Sequence, residues 1–156
     1  MAESAREHND VAQALERLEQ QLARGRARLA ELQAQGQAAL REVKLARAAA
    51  SDLSWELADV EQRLRELNEQ REGPGDPLLE REIASLTTSR AVLEERVLAQ
   101  MLLVDDLAAR AGEAEQALAM ATQEWAAREA VLIAKRDRMA ANIVEKLGSH
   151  REHRGR

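Results

Sequence analysis

The chain has no cysteine, no phenylalanine and no tyrosine, and only two prolines among its 156 residues. Without cysteine there are no disulfides and no cysteine-bound zinc or iron–sulfur centres, which fits a reducing compartment. Aromatic content is confined to Trp55 and Trp125, too little for a thick globular core. No apolar run approaches the roughly 20 residues that a membrane helix needs. The opening residues Met1-Ala2-Glu3-Ser4-Ala5-Arg6-Glu7 are polar and charged, unlike a secretory signal. The expectation is a soluble, cytoplasmic protein with no membrane partner. What remains is rich in Ala, Leu, Glu, Arg and Gln, the composition of long paired helices.

Both prolines lie in Gly73-Pro74-Gly75-Asp76-Pro77, the one concentrated helix-breaking stretch. Gly73 suits the left-handed conformation that ends a helix, and Pro74 cannot continue one. Asp76 suits an N-cap, with Pro77 at the first helical position, where its missing N–H costs nothing. Ser4 and Glu7 have the spacing of a capping box at the start of the first helix. Gly148 marks the expected end of the second. The sequence therefore predicts an all-α fold, a long antiparallel two-helix coiled-coil hairpin over 1–148, with helix 4–72, turn 73–76 and helix 77–147. A flexible basic tail, 149–156, follows. At 1.5 Å per residue such arms make a rod roughly 100 Å long.

Heptads support this reading. In the first arm one seam runs Leu15, Leu22, Leu29, Gly36, Val43, Ala50, Leu57, Leu64, and the other Val11, Leu18, Gly25, Leu32, Ala39, Ala46, Leu53, Val60, Leu67. A strict repeat of seven presents one stripe to one partner along a left-handed supercoil. The second arm is looser: Ile83, Arg90, Val97, Val104, Ala111, Leu118, Trp125, Leu132, Met139, with Leu86, Leu93, Gln100, Leu107, Ala114, Ala121, Arg128, Lys135, Asn142. A phase shift is expected from about Met139. A parallel dimer of extended chains would use the same heptads.

Antiparallel pairing must join residues whose numbers add to a constant, and only a sum of 150 centres the hairpin on Gly75. That register sets Gly25 opposite Trp125, so that a missing side chain makes room for an indole. It sets Gly36 and Ala39 opposite Ala114 and Ala111, predicting a narrow waist. It also predicts the flanking ion pairs Glu56–Arg96, Glu42–Arg110 and Arg28–Glu124, and a repulsive contact of Glu19 with Glu129.

No glycine-rich phosphate loop, cysteine nucleophile or His-Glu-x-x-His zinc helix is present. The carboxylates alternate with arginines as on solvated helix faces. An enzyme, a cofactor and a small-molecule substrate are therefore not expected. His8, His150 and His153 belong to the open end, and no carboxylate–histidine pattern makes them a metal site. Charge is uneven: residues 120–156 carry eight Lys/Arg against five Asp/Glu, whereas 31–119 carry ten against eighteen. Arg24, Arg26, Arg28, Arg136 and Arg138 in the basic half are the candidate nucleic-acid contacts. An apolar group off the seam is the more informative anomaly. Leu45, Trp55, Leu98 and Leu102 occupy outward heptad positions, and the run 97–104 is too apolar for a helix buried along one stripe. These four are the candidate partner-binding residues.

Three stretches carry a family likeness: Asp59-Val60-Glu61-Gln62-Arg63-Leu64, Leu79-Glu80-Arg81-Glu82-Ile83-Ala84-Ser85-Leu86 and Leu93-Glu94-Glu95-Arg96-Val97-Leu98-Ala99-Gln100-Met101. With them, residues 55–107 resemble the coiled-coil hairpin of bacterial C4-type zinc-ribbon proteins. The resemblance implies a hairpin preceding a four-cysteine ribbon, and binding of nucleic acid or a partner protein. This chain lacks the cysteines, so zinc binding does not carry over. The expected role is a non-catalytic adaptor that self-associates or binds a protein partner; the alternative is a weak nucleic-acid-binding protein using the basic open end.

Overall fold

The computed structural model of the protein describes residues 2–71, 73 and 75–154. It is an antiparallel helical hairpin of α1 (Ala2–Gln70, 69 residues) and α2 (Pro77–Arg154, 78 residues), with no strand among the described residues.

The turn follows its residues. Gly73 has φ of +96°, a conformation only glycine adopts without strain. Asp76 caps α2: its Oδ1 accepts from the Leu78 N–H at 3.0 Å, and its carbonyl accepts the first helical bond from the Glu80 N–H at 3.0 Å. Pro77 stands at the first helical position. Pro74, and position 72 where α1 was expected to end, lie outside the described residues. Ion pairs Arg71–Glu80 (2.6 Å) and Arg63–Glu82 (3.3 Å) join the two helices beside the turn.

Three boundaries differ from expectation. Helix α1 begins at Ala2, so Ser4 lies within its first turn and does not cap it; the Ser4 side chain is outside the described residues. The last helical residue of α1 is Gln70. Helix α2 runs through Gly148 to Arg154, where a tail was expected from 149. A helical glycine costs only about 1 kcal/mol against alanine and retains its N–H, so it ends a helix only when the following residues offer an alternative. Ser149 offers none, its hydroxyl donating to the Lys146 carbonyl at 3.1 Å.

Packing divides into two compact units, Met1–Gln35 with Glu115–Arg156, and Gly36–Ala114. In the second unit the core is Val43, Ala46, Leu64, Leu67, Leu93 and Ala111, all buried. Gln100, a polar residue on the stripe, is accommodated: its Nε2 donates to the Ala46 carbonyl of the facing helix at 3.1 Å. The expected waist does not extend to Gly36. A methyl built there meets nothing within 4 Å, so no close approach of backbones requires this glycine. With only a methyl expected opposite at Ala114, the space a side chain would fill stays open.

In the first unit Leu18, Leu22 and Leu132 form the buried cluster, with Trp125, Ile133 and Met139 against it. Gly25 and Trp125 meet as the register requires. A methyl built on Gly25 would collide with the indole at Cη2 and Cζ3. The phase of α2 then changes earlier than expected. Inward positions alternate gaps of three and four as far as Ala121, then take two gaps of four, to Trp125 and Glu129. The stripe continues Leu132, Arg136, Met139, Ile143, while Arg128, Lys135 and Asn142 are exposed. Glu129 thereby comes to face Arg26, which it pairs with at 2.8 Å, in place of the expected repulsion from Glu19.

The expected flanking pairs do not form. Arg28 pairs with Glu31 at 3.0 Å and Arg110 with Asp106 at 3.0 Å, each along its own helix. Among the described residues no ion pair joins Glu56 to Arg96. Exposed charges at i,i+3 and i,i+4 are already neighbours on one helix, so a cross-helix partner gains little in comparison.

Candidate interaction surfaces

Leu45, Trp55, Leu98 and Leu102 all belong to the Gly36–Ala114 unit and are between 61% and 71% exposed. Helical spacing sorts them. Leu98 and Leu102 are four apart on α2, with Met101, also exposed, between them. Residues at i, i+3 and i+4 share a face, so these three make one apolar patch. Leu103, 45% exposed, borders it. On α1, Leu45 and Trp55 stand ten positions apart, about 15 Å along the helix, and on different faces of it. The α2 trio is therefore the compact element, with Leu45 and Trp55 as separate apolar side chains. Met101 belongs to the patch although heptad reasoning sets it beside the seam.

The basic residues are less uniform than their sequence clustering suggests. Arg26 is engaged by Glu129, Arg28 by Glu31, and Arg136 by Asp137 at 3.2 Å. Arg138 Nε reaches the Ala134 carbonyl at 3.4 Å. Arg24 has no carboxylate within 4.0 Å among the described residues, and neither has Arg128. These two, with Arg28, line an open groove of about 510 Å3 beside Gly25 and Trp125. Sequence reading missed Arg128 as a surface charge because an unbroken heptad assigns it to the seam.

At the open end a cleft of about 300 Å3 is lined by Glu7, His8, Val11, Ile143, Lys146, Ser149 and His150. The side chain of His153 lies outside the described residues. No group of three or more His, Asp or Glu among the described residues is placed to hold a metal ion. No helix among them is long and apolar enough to cross a membrane. No protein-family model, no curated protein and no solved structure significantly matches this chain.

Proposed function

We propose that this chain is a non-catalytic adaptor whose helical hairpin associates with a second protein chain through Leu98, Met101 and Leu102. In the simplest arrangement that chain is a second copy. One observation carries the reading: three large apolar side chains, grouped on one helix face, stand exposed. Fully burying a Leu-sized side chain is worth roughly 1.5–3 kcal/mol, so covering the three together supports a specific contact. Exposed apolar groups of this kind mark interaction surfaces. Trp55, a separate exposed side chain on α1 in the same packing unit, is of the type that concentrates binding energy at interfaces. Between two copies the same patch would serve both sides about a two-fold axis. The resemblance to zinc-ribbon hairpins supports the adaptor reading through the hairpin alone.

Sedimentation equilibrium tests it. The chain should associate reversibly, and Trp55→Gln with Leu102→Gln should give a monomer of unchanged helicity, because neither side chain is in the buried core. A wild-type chain that remains monomeric at high concentration would remove self-association.

A further inference from the structure

The groove beside Trp125 has a composition that the adaptor reading does not use. It is lined by Gly25, Leu29, Ala121 and the indole of Trp125, with Arg24, Arg28 and Arg128 and the acidic Glu124 around them. We infer that it binds a nucleotide, with phosphate held by Arg24 and Arg128 and the base against the Trp125 ring. This inference is independent of the apolar patch, which lies in the other packing unit.

The charge of the groove originates in the change of phase in α2. An unbroken heptad would direct Arg128 into the seam. The shift at Trp125 sends Glu129 inward instead, where it neutralises Arg26, and leaves Arg128 exposed on the groove. Arg24 arrives from α1, one residue before the glycine that accommodates the indole. Arg26 and Arg28 have carboxylate partners, whereas Arg24 and Arg128 have none within 4.0 Å among the described residues. The groove does contain Glu124, and Arg28 is shared with Glu31. With Arg28 offset by Glu31, Arg24 and Arg128 set against Glu124 leave the groove one net positive charge.

Guanidinium groups suit phosphate because their planar fork matches two of its oxygens. Trp125 sits in the gap at Gly25 and against the cluster of Leu18, Leu22 and Leu132, and is still partly exposed on the groove. A fixed, partly exposed indole beside arginines is the arrangement that takes a base and its phosphate together. An acidic peptide would satisfy the arginines but has no use for the ring. The volume, about 510 Å3, is within the usual range of roughly 300–1,000 Å3 for small-ligand sites. Free nucleotide and a nucleotide within a single strand present the same chemistry to the groove.

Fluorescein-labelled oligothymidine of about ten nucleotides is the probe, read by anisotropy. Fluorine NMR of protein carrying 5-fluorotryptophan separates Trp125 from Trp55. Two phosphate contacts predict an affinity loss of about sevenfold between about 50 and about 200 mM salt, at a slope near −0.7 per contact. The exposed double change Arg24→Gln and Arg128→Gln should weaken binding by about tenfold or more at low salt and remove most of the salt dependence. Circular dichroism should show its helicity unchanged. The Trp125 resonance should move on binding while that of Trp55 stays. A response to thymidine monophosphate alone assigns the site to free nucleotide; a response to the oligomer only assigns it to a strand. A stationary Trp125 resonance, wild-type affinity in the double variant, or equal competition by polyglutamate would each overturn the inference.

Discussion

The indole of Trp125 occupies the space that a side chain at position 25 would need, and Gly25 supplies that space. The pair fixes the register of one helix against the other at the point where the phase of α2 changes. Gly36 is the useful contrast, because a methyl there meets nothing within 4 Å. Two seam glycines separated by eleven positions on one helix thus have opposite physical meaning.

The same substitution should therefore act in opposite directions at the two sites. Gly36→Ala should stabilise by up to about 1 kcal/mol through helix propensity. Gly25→Ala gains the same propensity but displaces an aromatic ring, and should destabilise overall. Gly25→Leu should cost about 1–3 kcal/mol by overpacking. Urea unfolding of the variants checks this, and a more stable Gly25→Leu would contradict the register.

The change of phase predicts an exchange of roles between adjacent residues. Glu129→Ala should cost about 0.5–1 kcal/mol, because it removes the partly screened pair with Arg26. Arg128→Ala should remain within about 0.5 kcal/mol of wild type, as for an exposed residue. If the heptad ran unbroken, Arg128 would be the sensitive position, so thermal unfolding of the two variants decides between the phases.

Gln100 offers a test of what a polar residue on the stripe does. Its amide contacts an Ala46 carbonyl that already accepts a bond within its own helix. Gln100→Leu should leave no orphaned group, and should be neutral or stabilising by up to about 1.5 kcal/mol. Heteronuclear NMR of the variant would show whether a single register persists, since a polar seam residue can specify register at some cost in stability.

Much of the fold is legible in the sequence because the first arm repeats without interruption. Every seam position named from Val11 to Leu67 is buried or half-buried, and Gly73, Asp76 and Pro77 act as their chemistry dictates. Trp125 and Gly25 are legible as a pair because an oversized and an absent side chain complement each other. The early phase change is not legible. Around it lie Ala126, Ala127, Ala130 and Ala134, which give no contrast between inside and outside. Its inward residues include Glu129 and Arg136, charged types that pattern reading assigns to solvent. Their aliphatic stems can cover apolar surface while the charged ends reach water. Two of the three expected ion pairs give way to nearer partners on the same helix, Arg28 pairing with Glu31 and Arg110 with Asp106; nothing in the structure explains the third, Glu56 with Arg96. Among the candidate contacts, spacing alone groups Leu98, Met101 and Leu102, whereas the exposure of Arg128 follows only from the shifted phase.

The association proposed for the apolar patch is tested most directly by quenching of Trp55 fluorescence as a function of protein concentration. Trp125→Phe leaves Trp55 as the sole emitter while retaining an aromatic ring over Gly25. In the isolated chain Trp55 is 70% exposed, so dilute protein should be quenched readily by acrylamide and emit as a solvated indole. As concentration rises and a second copy covers the patch, the account predicts a blue-shifted emission and a falling quenching constant, both abolished by Leu102→Gln. Emission and quenching that stay constant from dilute to concentrated protein, while the wild-type chain sediments as a monomer, would contradict it.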